Sequence, residues 1–151
     1  MKKVKSFFIT ICILAVLAVL GYGYYRYTNY YYGQQFYKSC TIITEADSYT
    51  FSNGDSLSIP VTVRNQSRVS FTENNNYYLS YHLLDASGKE LDMDGIRTPL
   101  NADPFRSETL SMNFKVPEEG SYRLEIDLVR DGYYWHGDLG GKTMTVSVTV
   151  K

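Results

Sequence analysis

The sequence is poor in the residues that most binding and catalytic chemistry requires. It has two cysteines, two histidines, one tryptophan and four prolines in 151 residues. Two cysteines cannot staple a disulfide-rich scaffold. His82 and His136 are far apart, with Cys40 the one thiol beyond the N-terminal segment, so no zinc-ligand spacing is present. Basic residues number 15 and acidic residues 16, with a pI near 6.1, so the basic excess of a nucleic-acid binder is missing. There is no G-x-S-x-G, no phosphate-binding loop and no H-E-x-x-H. These absences point away from an enzyme and call for no cofactor or metal. Tyrosine is the excess, at 15 residues.

The N-terminus is organised for export or anchoring. Lys2, Lys3 and Lys5 precede an uncharged run over 7–20, FFITICILAVLAVL. Those fourteen residues make roughly 21 Å of helix, short of a hydrocarbon core of about 30 Å. Continuing through Tyr25 gives nineteen residues and roughly 28 Å, with tyrosines at the interfacial end. Residues 1–25 are therefore expected to be a membrane anchor or signal segment, contacting lipid through residues 4–25. The lysines place the N-terminus inside and the remainder outside, single-pass. Cleavage and secretion are the alternative, although no A-x-A site stands before Gly21 or Gly23. Cys12 lies inside the apolar run behind a bulky Ile11 and reads as apolar filler. Residues 26–38 (RYTNYYYGQQFYK) read as a tyrosine-rich tether, either a spacer or an adhesive segment.

From 39 to 151 the pattern changes to period two. Leu57, Ile59, Val61 and Val63 alternate with polar residues or Pro60. The same holds for Leu79–Leu83, Leu110–Phe114, Tyr122–Leu128 and Met144–Val150, with a short β-branched run at Thr41–Thr44. One face of each strand is expected in a core and the other in water. Turn residues separate the strands at Asn53-Gly54-Asp55, Asp85-Ala86-Ser87-Gly88, Pro117-Glu118-Glu119-Gly120, Asp131-Gly132 and Gly140-Gly141. Pro60 requires a local edge or bulge. The expected class is all-β: an immunoglobulin-like two-sheet antiparallel sandwich of 7–8 strands, preceded by one N-terminal membrane helix. Glu118-x-Gly120-x-Tyr122-x-Leu124 has the form of a tyrosine corner, with Leu124 where antibody domains carry a cysteine.

Residues 54–65 (GDSLSIPVTVRN) resemble the opening of a bacterial immunoglobulin-like accessory domain. Leu79–Asp85, then 95–100 (GIRTPL), 120–124 (GSYRL) and 127–132 (DLVRDG) with Trp135 resemble its later blocks, in order. Such domains are appended to glycosyltransferases and other envelope-polysaccharide proteins. The resemblance spans about residues 50 to 151 and implies a non-catalytic β-sandwich in a glycan-related setting. The chain is expected to depart from that pattern, with no catalytic neighbour and with an anchor of its own at the N-terminus.

The last loop, DGYYWHGDLGG over 131–141, concentrates the candidate binding residues: Tyr133, Tyr134, Trp135, His136 and Asp138. Aromatic rings stack on the C–H faces of sugars while carboxylates and imidazoles bond hydroxyls. The competing role for Trp135 is to fold over the open end of the sandwich and cap the core. Continued strand pairing would leave at least one of Tyr133 and Tyr134 exposed. Asp92, Asp94 and Asp103 are acidic but lack the spacing of a calcium loop, so they read as solvated turn residues. Cys40 reads as a buried thiol, with an intermolecular disulfide as the alternative. From Lys38 on there are 11 basic and 16 acidic residues, a net charge of -5, which disfavours anionic polymers as ligands. The expected partner is neutral envelope glycan or a docked protein, and not nucleic acid.

Overall fold

The computed structural model describes residues 11–27 and 40–151. The basic start and the first part of the apolar run, over 1–10, lie outside the described residues. So does the tether from 28 to 39. The described residues belong to two compact units. In the first, residues 11–27 are helical (α1) and expose Leu14, Leu17, Val19, Tyr22 and Tyr24. Only 11–25 of the span read over 7–25 is therefore described. Among the described residues no helix is long and apolar enough to cross a membrane.

The second unit is mostly β. Its strands are β1 (Cys40–Thr44), β2 (Ser48–Phe51), β3 (Ser58–Asn65), β4 (Phe71–Thr72), β5 (Tyr77–Asp85), β6 (Glu90–Asp92), β7 (Thr98–Pro99), β8 (Asn101–Ala102), β9 (Ser107–Asn113), β10 (Gly120–Arg130), β11 (Tyr134–Trp135) and β12 (Met144–Val150). Of these twelve described strands, seven have four or more residues. The five alternating segments and the β-branched run all became strands. The seventh, β2, is too short for periodicity to reveal. The remaining five have two or three residues and are specified by their partners rather than by their own pattern.

One sheet has the order β1-β3-β9 and a second β2-β12-β10-β5-β6, with β7 and β11 attached to β5 and β10. Strands β4 and β8 form a separate ribbon. Neighbours are antiparallel except β2, which runs parallel to β12. Inward residues of both sheets form one core: Ile59, Val61 and Val63 with Leu79, Tyr81, Leu83, Leu124, Ile126, Leu128, Val146 and Val148. Pro60 pairs with Ser111 of β9, while the β1 ladder stops at Thr44↔Val61. On the β1 side Pro60 thus has no ladder partner, which is the local edge a proline needs.

The tyrosine corner forms. The Tyr122 hydroxyl donates to the Glu118 carbonyl at 2.9 Å. Asp85 closes the β5–β6 hairpin by accepting from the Ser87 and Lys89 amides at 2.8 and 2.9 Å, with Gly88 at φ 88°. At the other end of β3, Asn65 is fully buried. Its side-chain nitrogen donates to the carbonyls of Val69 and Ala102 at 2.7 and 2.9 Å. Its side-chain oxygen accepts from the Ser67 amide at 2.9 Å.

One expectation fails in an informative way. Several outward positions of β5 and β10 are not wet, although Ser121 and Arg123 at the start of β10 are exposed. Ser80, His82, Asp127 and Val129 are all buried, because two loops lie across that face. Alternation on these strands distinguishes an aliphatic core face from a polar face that is also covered.

Candidate functional site

The covered face of β5 and β10 is the most built-up polar region of the domain. The pairing Glu125↔His82, Asp127↔Ser80 and Val129↔Tyr78 sets these residues side by side on it. One covering loop runs through Asp92–Arg97. The other is the last loop, tied to β10 by Val129↔Trp135 and Arg130↔Tyr134.

The five predicted residues separate by strand geometry. Trp135 pairs with outward-facing Val129, so its side chain lies on the covered face. Its ring centroid is 4.1 Å from that of His82, and the Arg97 guanidinium lies 4.8 Å from it. Trp135 therefore covers the flank of the second sheet rather than the open end. Tyr134 points the other way. It packs against the core, with its hydroxyl 3.5 Å from that of Tyr77. Tyr133 precedes the strand and is 66% exposed, with the Arg130 guanidinium 4.3 Å from its ring centroid. His136 is fully buried and Asp138 is exposed. The loop thus offers solvent Tyr133, Asp138 and part of Trp135.

Arg97 links the two covering loops. It donates from Nη1 to Ser80 Oγ at 3.1 Å and to the Gly95 carbonyl at 3.0 Å. It pairs with Asp94, and from Nε with Asp131 at 3.3 Å. His82 Nδ1 meets the Met93 carbonyl at 2.8 Å. A Cβ on Gly95 would collide with the Tyr81 carbonyl and ring, so only glycine lets this loop lie on the sheet.

Asp127 holds the second loop. Its carboxylate accepts from the Leu128 amide at 2.7 Å and from the Gly137 amide at 2.8 Å. His136 Nδ1 lies 4.0 Å from Oδ1 of Asp127, and the His136 amide donates to the Leu128 carbonyl at 2.8 Å. Burial pushes the Asp127 carboxyl up to about 6, against the lowering effect of the two amides. A carboxyl near 6 beside an imidazole is an acid–base pair in principle. Here both groups are enclosed by loop backbone, and the pair works as a clasp.

Sequence reasoning missed Ser80, Arg97 and Asp127. A signal was present: Leu128-Val129 puts apolar residues on both faces of β10, which happens when both faces are covered. Elsewhere, Asp92 accepts from the Asp94 amide at 2.9 Å. Among the described residues no group of three or more His, Cys, Asp or Glu is arranged to hold a metal. Cys40 is buried, and burial pushes its thiol up to about 12, which makes it a poor nucleophile at neutral pH. At the opposite end a groove of about 550 Å³ is lined by Asn53, Asp55, Leu57, Glu118, Glu119 and Val150, among others, and contains none of the predicted residues.

No protein-family profile matches the chain, and no curated protein matches it. Among solved structures it is similar to the CARDB domain of a Pyrococcus furiosus protein, crystallised with di-metal ions. That pair shares 14% identity at a TM-score of 0.45, covering 75% of this chain and 86% of the other. It is also similar to a β-glucosidase from Listeria innocua in complex with glucose, at 14% identity and a TM-score of 0.45. That match covers 73% of this chain but spans only 16% of the glucosidase. A PapD-like domain of human CEP192 is similar at 13% identity and a TM-score of 0.40, covering 75% of this chain and 84% of that one.

Proposed function

We propose that the chain is a non-catalytic, membrane-tethered extracytoplasmic binding module that contacts envelope glycan through its last loop. The β domain reads as an immunoglobulin-like sandwich. The corner bond of Tyr122, the parallel β2–β12 pairing and the shared core support that reading. Val61, Tyr81 and Leu124 occupy the core in place of a disulfide and its tryptophan. Three lysines followed by an apolar run support the tether.

The observation that carries the glycan contact is Tyr133. Its ring is exposed on a loop whose neighbouring residues are fixed by β11, His136 and Asp127, and Arg130 covers part of the ring. A pre-oriented aromatic with an exposed carboxylate on the same loop, Asp138, suits a sugar's apolar face and hydroxyls at low entropic cost. The test is a glycan array probed with the full chain in detergent. Binding to neutral polysaccharide is expected, and binding to none of the neutral glycans would contradict the reading.

One observation favours a second reading, docking of a protein partner. Among the described residues, strand β9 is at the edge of its sheet and pairs only with β3 over its seven residues. An open edge of that length can accept an added strand. Co-purification of one stoichiometric protein, with no retention on glycan, would select it.

A further inference from the structure

The ladder between β3 and β9 determines which backbone groups of β9 are left over. Just beyond the two ends of the paired stretch, the Asn65 amide donates to the Arg106 carbonyl at 2.8 Å and the Phe114 amide to the Leu57 carbonyl at 3.0 Å. Bonded and non-bonded pairs alternate in an antiparallel ladder. Counting inward from either end makes Val63↔Glu108, Val61↔Leu110 and Ile59↔Met112 the bonded pairs. The amides and carbonyls of Ser107, Thr109, Ser111 and Asn113 therefore point away from β3, out of the sheet edge. All of these residues are exposed, and among the described residues no other strand takes their backbone groups.

Edges are commonly blunted by proline, by lysine, by a bulge or by a covering loop. Strand β9 carries neither proline nor lysine, and its register with β3 is unbroken. Its one charged residue, Glu108, lies near one end and accepts the Asn101 amide of β8. The Thr109 hydroxyl is bonded to that of Thr62 at 2.8 Å, and the Ser111 hydroxyl to that of Ser58. The polar side chains at Glu108, Thr109 and Ser111 are thus engaged inside the domain while the outer backbone is open. Leu110 is half-buried, its inner side on the core.

We propose that β9 pairs with β9 of a second copy of this chain, antiparallel about a two-fold axis at Leu110. This names the partner for the reading in which β9 docks a protein, and rests on it; the glycan contact of the last loop is separate. In this register Ser107 exchanges bonds with Asn113 of the second copy and Thr109 with Ser111, giving about eight backbone hydrogen bonds. Leu110 faces its own mate in a non-bonded pair, where side chains approach most closely, and its open side is covered. Glu108 faces Met112, and the two Glu108 residues stand about 14 Å apart along the strands, beyond the screening length of about 8 Å. No like charges are opposed. Sliding the strands by two residues either way loses bonded pairs and sets Leu110 against Glu108 or Met112. A foreign strand could supply the backbone groups equally well. The second copy is favoured because side chains match at every position, apolar to apolar at the axis and hydroxyl to hydroxyl beside it. The pairing is isologous, so it occupies both edges and closes as a dimer.

The test uses the full chain in detergent, with Cys12→Ser to remove the exposed thiol, carrying Leu110→Cys or Ser107→Cys. Across the axis the Cα atoms at position 110 lie about 4.5 Å apart, within reach of a disulfide, and those at position 107 about 20 Å apart. Mild oxidation is expected to give about tenfold more cross-linked dimer from L110C than from S107C. Equal yields would overturn the pairing. Because Leu110→Cys trims a packed side chain, sedimentation of the parent chain is measured beside Ser111→Pro, which deletes an amide that β3 does not use. The parent is expected at twice the chain mass and Ser111→Pro at the chain mass, with a cooperative melt. If Ser111→Pro does not melt cooperatively, the cross-linking pair decides. A Ser111→Pro chain still at twice the mass puts the contact elsewhere and refutes the proposal. A parent at the chain mass refutes the second copy. If in that case a foreign protein co-purifies with the parent and is lost from Ser111→Pro, the docking edge stands; if nothing depends on Ser111, the docking reading fails as well.

Discussion

Asp127 fastens the last loop to the second sheet by accepting the Gly137 amide at 2.8 Å. The carboxyl sits near 6 instead of its ordinary 3.8, chiefly because it is buried. Its folded-state value lies above the unfolded one, so protonation favours the folded state. The contribution is fully present below about pH 4 and is lost as pH rises through about 6, on the order of 3 kcal/mol in all. The thermal midpoint of the wild type should therefore fall relative to that of Asp127→Asn between pH 4 and 7.5. Parallel pH profiles would show that Asp127 does not titrate in this range.

Gly141 lies directly on the His136 ring, and a Cβ there would overlap it. Gly141→Ala should lift the loop, cost more than about 2 kcal/mol by strain and lost contacts, and red-shift the emission of the lone tryptophan. An unchanged emission maximum would mean that the loop accommodates the methyl group without moving Trp135.

The tyrosine corner is separable from the bulk of its ring. Tyr122→Phe keeps the buried ring and removes one hydrogen bond to the Glu118 carbonyl. A loss of about 1 kcal/mol is expected in denaturant unfolding. A loss several times larger would mean that the hydroxyl does more than close the turn.

Asn65→Ala removes a buried amide that holds two carbonyls and the Ser67 amide. A loss of about 3 kcal/mol is expected, because those backbone groups stay buried without partners. If denaturant midpoints of variant and wild type coincide, water replaces the amide there.

The strands were legible wherever one face had to be apolar. Ile59, Val61 and Val63 could not alternate with polar residues for any other reason, and the turn glycines marked the ends. The corner was legible because Glu118, Gly120 and Tyr122 have a fixed spacing. The flank was not legible in the same way. Ser80 and Asp127 look like solvent-facing residues until the loops over 92–97 and 131–141 are seen to cover them. That covering depends on long-range contacts, such as Arg97 with Asp131, that have no periodic signature. Within the last loop, sequence grouped five residues. Strand pairing then divided them, sending Tyr134 to the core side and Trp135 to the flank.

The central claim concerns what the last loop offers to solvent, and paired substitutions test it most directly. Trp135 packs on His82 and Arg97, so Trp135→Ala should lower stability by about 2 kcal/mol. Tyr133 is largely exposed, so Tyr133→Ala should leave the thermal midpoint within about 1 °C, since surface changes cost little. Retention of the full chain on the glycan it binds, measured beside thermal unfolding for both variants, is the decisive experiment. Loss of retention in Tyr133→Ala at an unchanged midpoint is the expected result. Retention equal to wild type in that variant would contradict the account.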